Sequence, residues 1–163
     1  MAPASCDSPA RCKPRSSTGR RHILVVDDEI PVLGMMQQQL RKLGYRVITR
    51  ADSVEAKNTF RANPDQFDLV ITDHTMPGLL GADLAGELGA IRPNLPVILM
   101  TGLNQPPDLA AFRHAPLRFV FQKPINFVEL SHRLRNFLDR PGGHANGCAY
   151  ANSSPSQKRH RAG

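Results

Sequence analysis

Between residues 22 and 140, short apolar runs alternate with amphipathic stretches, and the alternation predicts the elements. "HILVV" (22–26) is continuously apolar after its first residue, as expected of a parallel strand covered by helices on both faces. Pro31 suits a first helical turn, Val32, Met36, Leu40 and Leu43 recur at helical spacing, and Gly44 supplies a stop. "YRVITR" (45–50) reads as the second strand. Asp52 with Glu55 has the pattern of a capping box, opening a helix that ends near Asn63-Pro64. "FDLVIT" (67–72) is the third strand, followed by a loop containing Pro77-Gly78 and a helix carried by Leu80, Leu84, Leu88 and Ile91. "PVILMT" (96–101) predicts the fourth strand, a weak helix spans about Asp108 to His114, and "LRFVFQ" (117–122) predicts the fifth. The last helix runs from about Asn126 to Asp139, with Phe127, Leu130, Leu134, Phe137 and Leu138 on one face.

Five successive strand–helix units predict an α/β fold, a doubly wound (βα)5 parallel sheet with right-handed crossovers. In such sheets ligands gather beyond the carboxyl ends of the strands, where strand order reverses. The first strand ends in Asp27-Asp28-Glu29, the third is followed by Asp73, the fourth ends in Thr101-Gly102, and the fifth is followed by Lys123-Pro124. Packed carboxylates disfavour one another's ionisation and call for a cation. A few carboxylates with room for water and phosphate oxygens suit Mg²⁺, beside which one carboxylate becomes an acceptable nucleophile toward a phosphoryl group. Phosphoryl transfer spreads charge over three equatorial oxygens, and Mg²⁺, Lys123 and the Thr101 hydroxyl are three groups to receive them.

The charge distribution narrows the partners. The net charge of +7 resides in the ends: residues 1–22 carry five Lys/Arg and one Asp, residues 140–163 carry four Lys/Arg and no acid, and residues 23–139 carry twelve basic against thirteen acidic residues. The expected organisation is a disordered basic tail over 1–21, one domain over 22–140, and a second disordered basic tail over 141–163, because Pro-, Ser-, Gly- and Ala-rich composition cannot bury enough apolar surface to order itself. Tail charge supports salt-sensitive contact with polyanions, but specific nucleic-acid recognition is disfavoured without interleaved aromatics. Cys6, Cys12 and Cys148 lie in these tails and lack the spacing of a four-ligand zinc site. No apolar run approaches the roughly 20 residues of a membrane span, and "MAPASCDSPARCKPRSSTGRR" has no secretory apolar core, so the expected location is cytoplasmic without membrane insertion.

The elements "VVDDE", "DLVITDHTMPG", "PVILMTG" and "FQKPI", in that order and each at a predicted strand end, resemble the receiver domain of two-component response regulators over about residues 22–139. "TDHTMPG" and "PVILMTG" are similar to receivers attached to hybrid histidine kinases. The resemblance implies a flavodoxin-like receiver fold in which Asp73 is the phosphoacceptor, Thr101 the switch hydroxyl and Lys123 the phosphate-pairing lysine. It implies a Mg²⁺ site made by Asp28 and Asp73 directly, Asp27 through a water and the Thr75 backbone carbonyl, and a cis Lys123-Pro124 bond. Receivers often carry Tyr or Phe three residues before this lysine. Here the position is Val120, between Phe119 and Phe121.

The resulting expectation is a single-domain response regulator, not a turnover enzyme. It would accept its phosphoryl group from a histidine kinase or histidine phosphotransfer protein and act by contact with a downstream protein, with phosphorylation-dependent dimerisation left open. The 24 residues after Asp139 are too few for a DNA-binding output domain, and the Met1 start suits a stand-alone chain. The alternative is a phosphorylation-independent interaction or nucleic-acid-contacting module using the basic tails, against which stands the complete Asp/Asp/Thr/Lys set. A phosphohydrolase is disfavoured because Asp73 is followed by His74-Thr75 rather than by a second acid two positions on. His74 reads as a rim residue, and Thr75 and Leu103 as the residues bordering the path of a hydrolytic water.

Overall fold

The computed structural model describes residues 20–102, 116–138 and 149–151. In chain order these form β1 (His22–Val26), α1 (Ile30–Lys42), β2 (Arg46–Arg50), α2 (Ser53–Ala62), a 3₁₀ turn (Pro64–Gln66), β3 (Leu69–Asp73), α3 (Gly81–Ile91), β4 (Val97–Thr101), β5 (Leu117–Gln122), α4 (Phe127–Leu138) and β6 (Ala149–Ala151). All pairings are parallel. The order β2-β1-β3-β4-β5-β6 contains the expected doubly wound five-stranded sheet. The weak helix expected at Asp108 to His114 lies outside the described residues, as do Leu103 and the three cysteines.

Local chemistry accounts for the element limits. Pro31 sits in the first turn of α1, and beyond Lys42 the chain turns through Gly44 at φ +95°, a left-handed conformation that a side chain would strain. The Asp52 carboxylate caps α2 by accepting from the amides of Val54 (2.7 Å) and Glu55 (3.0 Å). Strand periodicity then sends alternate residues of β1 to opposite faces. Ile23 and Val25 pack with Leu33, Met36 and Leu40 of α1 and Leu130, Leu134 and Leu138 of α4. Leu24 and Val26 pack with Ala56 and Phe60 of α2 and Leu84, Ala85 and Leu88 of α3. The strand is therefore apolar throughout because neither face meets water.

Two features depart from the sequence reading. The third strand starts two residues later and ends one later than expected, Leu69 to Asp73, so the acid after the apolar run is itself the last strand residue. And within 141–163, expected as a tail, Ala149–Ala151 pairs in parallel with Phe119–Phe121. A three-residue Ala-Tyr-Ala run has too few apolar positions to announce a strand. What it satisfies is the row of amides and carbonyls that β5 would otherwise present at the sheet edge.

Candidate functional site

The order reversal falls between β1 and β3, and both end in acid. Asp27 follows β1 and is fully buried; Asp73 ends β3 and is 5% exposed. Register fixes their neighbours: Val26 pairs with Thr72, and Asp73 pairs with Met100, the residue before Thr101. From β5 the chain delivers Lys123, whose amide donates to the Thr101 carbonyl (2.8 Å) and whose bond to Pro124 is cis. The Lys123 Nζ lies 3.0 Å from Asp27 Oδ2, 3.0 Å from Asp73 Oδ1 and 3.3 Å from Glu29 Oε1. One ammonium thus joins three carboxylates.

The second oxygen of each buried aspartate is held by the backbone. Asp27 Oδ1 accepts from the Glu29 amide (2.9 Å) and Asp73 Oδ2 from the Thr75 amide (3.1 Å). Burial pushes the Asp27 carboxyl above its ordinary value, against the lowering effects of the Glu29 amide and Lys123, with the nearby Asp73 charge adding to the rise. Burial alone would lower Lys123, but its hydrogen bonds to Asp27 and Asp73 and their charges outweigh it and hold the ammonium well above its ordinary value. Both partners therefore stand above their ordinary values for different reasons, Asp27 because of its burial and Lys123 because of its carboxylate contacts. A single ammonium shared among three carboxylates cannot offset the full desolvation of Asp27.

Asp27, Asp73 and Lys123 are thus brought together by side-chain contact. Thr101 is fully buried at the end of β4, one residue beyond the register partner of Asp73. Asp28 and Thr75 lie exposed at the rim, and His74 is partly buried, its amide donating to the Met100 carbonyl (2.7 Å). Among the described residues no group of three or more His, Cys, Asp or Glu side chains stands gathered around a metal position. The donor set nonetheless fits a hard cation: Asp27 and Asp73 converge closely enough to share one charged nitrogen, and every available ligand atom is oxygen.

Gly81, which motif reasoning passed over, sets the floor of the site. A Cβ built there would lie 2.1 Å from the Asp73 carbonyl oxygen and 3.0 Å from Leu99 Cδ1, and the Gly81 amide donates to the His74 carbonyl (2.9 Å). Only a residue without a side chain lets the start of α3 lie against the end of β3. The legible signal was a glycine opening a helix, a position where glycine is a poor helix former.

The description "Response regulator receiver domain" matches residues 23–135, and the chain belongs to that family. It is 33% identical over 121 residues to the probable transcriptional regulator ycf27 of Cyanophora paradoxa, covering 74% of this chain and 49% of the relative. The chain therefore spans about half the length of that regulator. A response regulator receiver domain from Clostridium thermocellum superposes with a TM-score of 0.65 at 33% identity, over 73% of this chain and 94% of that one. TrrA of Thermotoga maritima, solved in complex with Mg²⁺-BeF, superposes with a TM-score of 0.64 at 30% identity, over 72% and 98%. The fold is that of a receiver and the chain carries a phosphoacceptor signalling domain. No helix among the described residues is long and apolar enough to cross a membrane.

Proposed function

We propose that this receiver takes a phosphoryl group from the phosphohistidine of a histidine kinase or histidine phosphotransfer protein onto Asp73, and relays the signal by contact with a downstream protein as a single-domain regulator. The observation that carries the reading is the convergence of Asp73, Asp27 and Lys123 at the β1/β3 reversal, with Asp73 held by one oxygen on Lys123 and by the other on the Thr75 amide. In the transfer, an Asp73 carboxylate oxygen bonds to phosphorus as the donor's P–N bond breaks, and the imidazole leaves with the electron pair. Lys123 ion-pairs with a phosphoryl oxygen, and the Thr101 hydroxyl approaches another. Asp28, Asp73 and the Thr75 carbonyl would hold Mg²⁺ directly and Asp27 through a water. When bound, the ion supplies positive charge to the phosphoryl oxygens.

The donor and downstream proteins, the cytoplasmic location and the single-domain architecture belong to this proposal. Phosphorylation changes partner affinity only if two arrangements of the domain differ in their contacts with the phosphoryl group. In this reading the Thr101 hydroxyl supplies that difference. Val120, fully buried with Leu99 and Leu117, leaves the usual aromatic partner out.

The test is incubation with acetyl phosphate and Mg²⁺, read by intact mass. The wild type is expected to gain one phosphoryl group only when Mg²⁺ is present, and Asp73→Asn to gain none. A gain that persists in Asp73→Asn, or a wild type that accepts phosphate neither from acetyl phosphate nor from a phosphohistidine protein, overturns the reading.

A further inference from the structure

Basic side chains gather at the end of the sheet opposite the phosphoacceptor. In a parallel sheet all amino ends lie together, and at those of β1 and β2 a cavity of about 480 Å³ is lined by Arg20, His22, Arg41, Tyr45, Arg46 and Gln66, among others. The cavity has three guanidinium groups and no carboxylate in its lining. Arg20, Arg41 and Arg46 are exposed, and none of them forms an ion pair with a described residue. Asp68, the acid beside His22, is already engaged by Arg21 (3.3 Å) and by the His22 amide (2.9 Å).

Helix chemistry explains part of this charge. Arg41 and Lys42 close the last turn of α1, where cations favour the helix dipole. It does not explain Arg20 before β1 or Arg46 at the start of β2, which bring the same charge to the same cavity from two other segments. Like charges gathered without a counter-charge repel one another.

We propose that this amino-end pole is a docking surface for the phosphate backbone of nucleic acid, with Arg20, Arg41 and Arg46 pairing phosphates. The chemistry is that of sequence-independent binding: guanidiniums suit phosphate oxygens bidentately, and nothing in the cavity offers a base-reading helix or an open aromatic face. The site lies at the opposite end of the strands from Asp73, so both ends can be engaged at once. The inference does not depend on phosphoryl transfer.

The experiment measures binding of the full chain to a fluorescently labelled 20-base-pair DNA duplex by anisotropy over a salt series, for the wild type and for Arg41→Ala/Arg46→Ala. Each phosphate contact contributes about 0.9 to the slope of log K against log salt. The double variant is expected to lower that slope by about two and to weaken binding roughly tenfold or more at low salt, with its acetyl-phosphate labelling at Asp73 unchanged. Wild-type binding that the double variant leaves intact while Arg11→Ala/Lys13→Ala/Arg15→Ala abolishes it assigns the contact to the tail alone and overturns the proposal. Absence of binding at low salt overturns it as well, as does a double-variant effect seen only with anionic lipid vesicles and not with the duplex.

Discussion

Three residues carry the site's physics in different ways. Gly81 acts by having no side chain. Gly81→Ala forces a methyl into the Asp73 carbonyl, so α3 must move off β3; we expect a loss of about 1–3 kcal/mol in urea unfolding together with slower acetyl-phosphate labelling. Loss of neither would show that the helix start is free to shift. Asp27 is the converse case, a carboxylate whose burial disfavours its own charge. The native state holds its proton more tightly than the unfolded chain does, so its contribution to stability is complete at low pH and is lost as pH climbs through its folded value. Asp27→Asn keeps an acceptor for the Glu29 amide and removes the buried charge. It is expected to raise stability at pH 7 in EDTA by about 1 kcal/mol while weakening Mg²⁺-dependent labelling. Lys123 is raised as well, but here the fold favours the charged form. Its pairs stabilise the fold fully below its unfolded value of about 10.4 and are lost as pH rises through the higher folded one. Urea midpoints should therefore fall above about pH 10 in the wild type, and this alkaline component should be absent in Lys123→Met.

At the scale of elements, helix ends and strand register place these residues. The Asp52 cap fixes where α2 begins, and through Ala56 and Phe60 that helix covers Leu24 and Val26, the strand that presents Asp27. Asp52→Ala is expected to cost about 1 kcal/mol in urea unfolding with labelling at Asp73 retained; a cost near zero would mean that water caps the two amides equally well. Beside this, the β4–β5 register shifts by one residue, Val97 facing Leu117 and Ile98 facing Phe119. The extra residue turns Leu117 and Val120 toward Leu99 and Ala82 on one face, and leaves Phe119 and Phe121 for the other. There Phe119 meets Phe137 of α4 edge-on at 6.2 Å, with Arg133 above its ring at 5.1 Å. Phe119 and Phe121, which flank Val120, thus share one apolar cluster with α4.

Over the whole molecule, charge is separated along the strands. Asp27, Asp28, Glu29 and Asp73 collect at the carboxyl ends, answered by the Lys123 ammonium; Arg20, Arg41 and Arg46 collect at the amino ends around a cavity with no carboxylate lining it. A folded segment close to neutral in sum is thereby strongly polar in distribution. Encounter with a phosphorylated donor and contact with a polyanion would address opposite poles, and the second should weaken far more steeply with salt because it releases several counterions.

The sequence by itself determined the elements of this protein and their class. Apolar runs, Pro31, Gly44 and the Asp52/Glu55 pair are local signals, read within a few residues, and the five strands and four described helices lie where those signals put them to within two residues. It also placed Asp27, Asp73, Thr101 and Lys123 at strand ends, because the alternation of strand and helix forces successive strand ends to one side of a parallel sheet. Only tertiary structure decided the rest. That Lys123 would bond Asp27, Glu29 and Asp73 together depends on contacts across as many as 96 residues. That Gly81 must lack a side chain depends on how closely α3 lies against β3. Ala149–Ala151 pairs because an open edge exists, and the arginines of three separate segments form one basic pole because β1 and β2 are neighbours. Each of these is a long-range proximity set by packing, and periodicity along the chain carries no record of distances between segments.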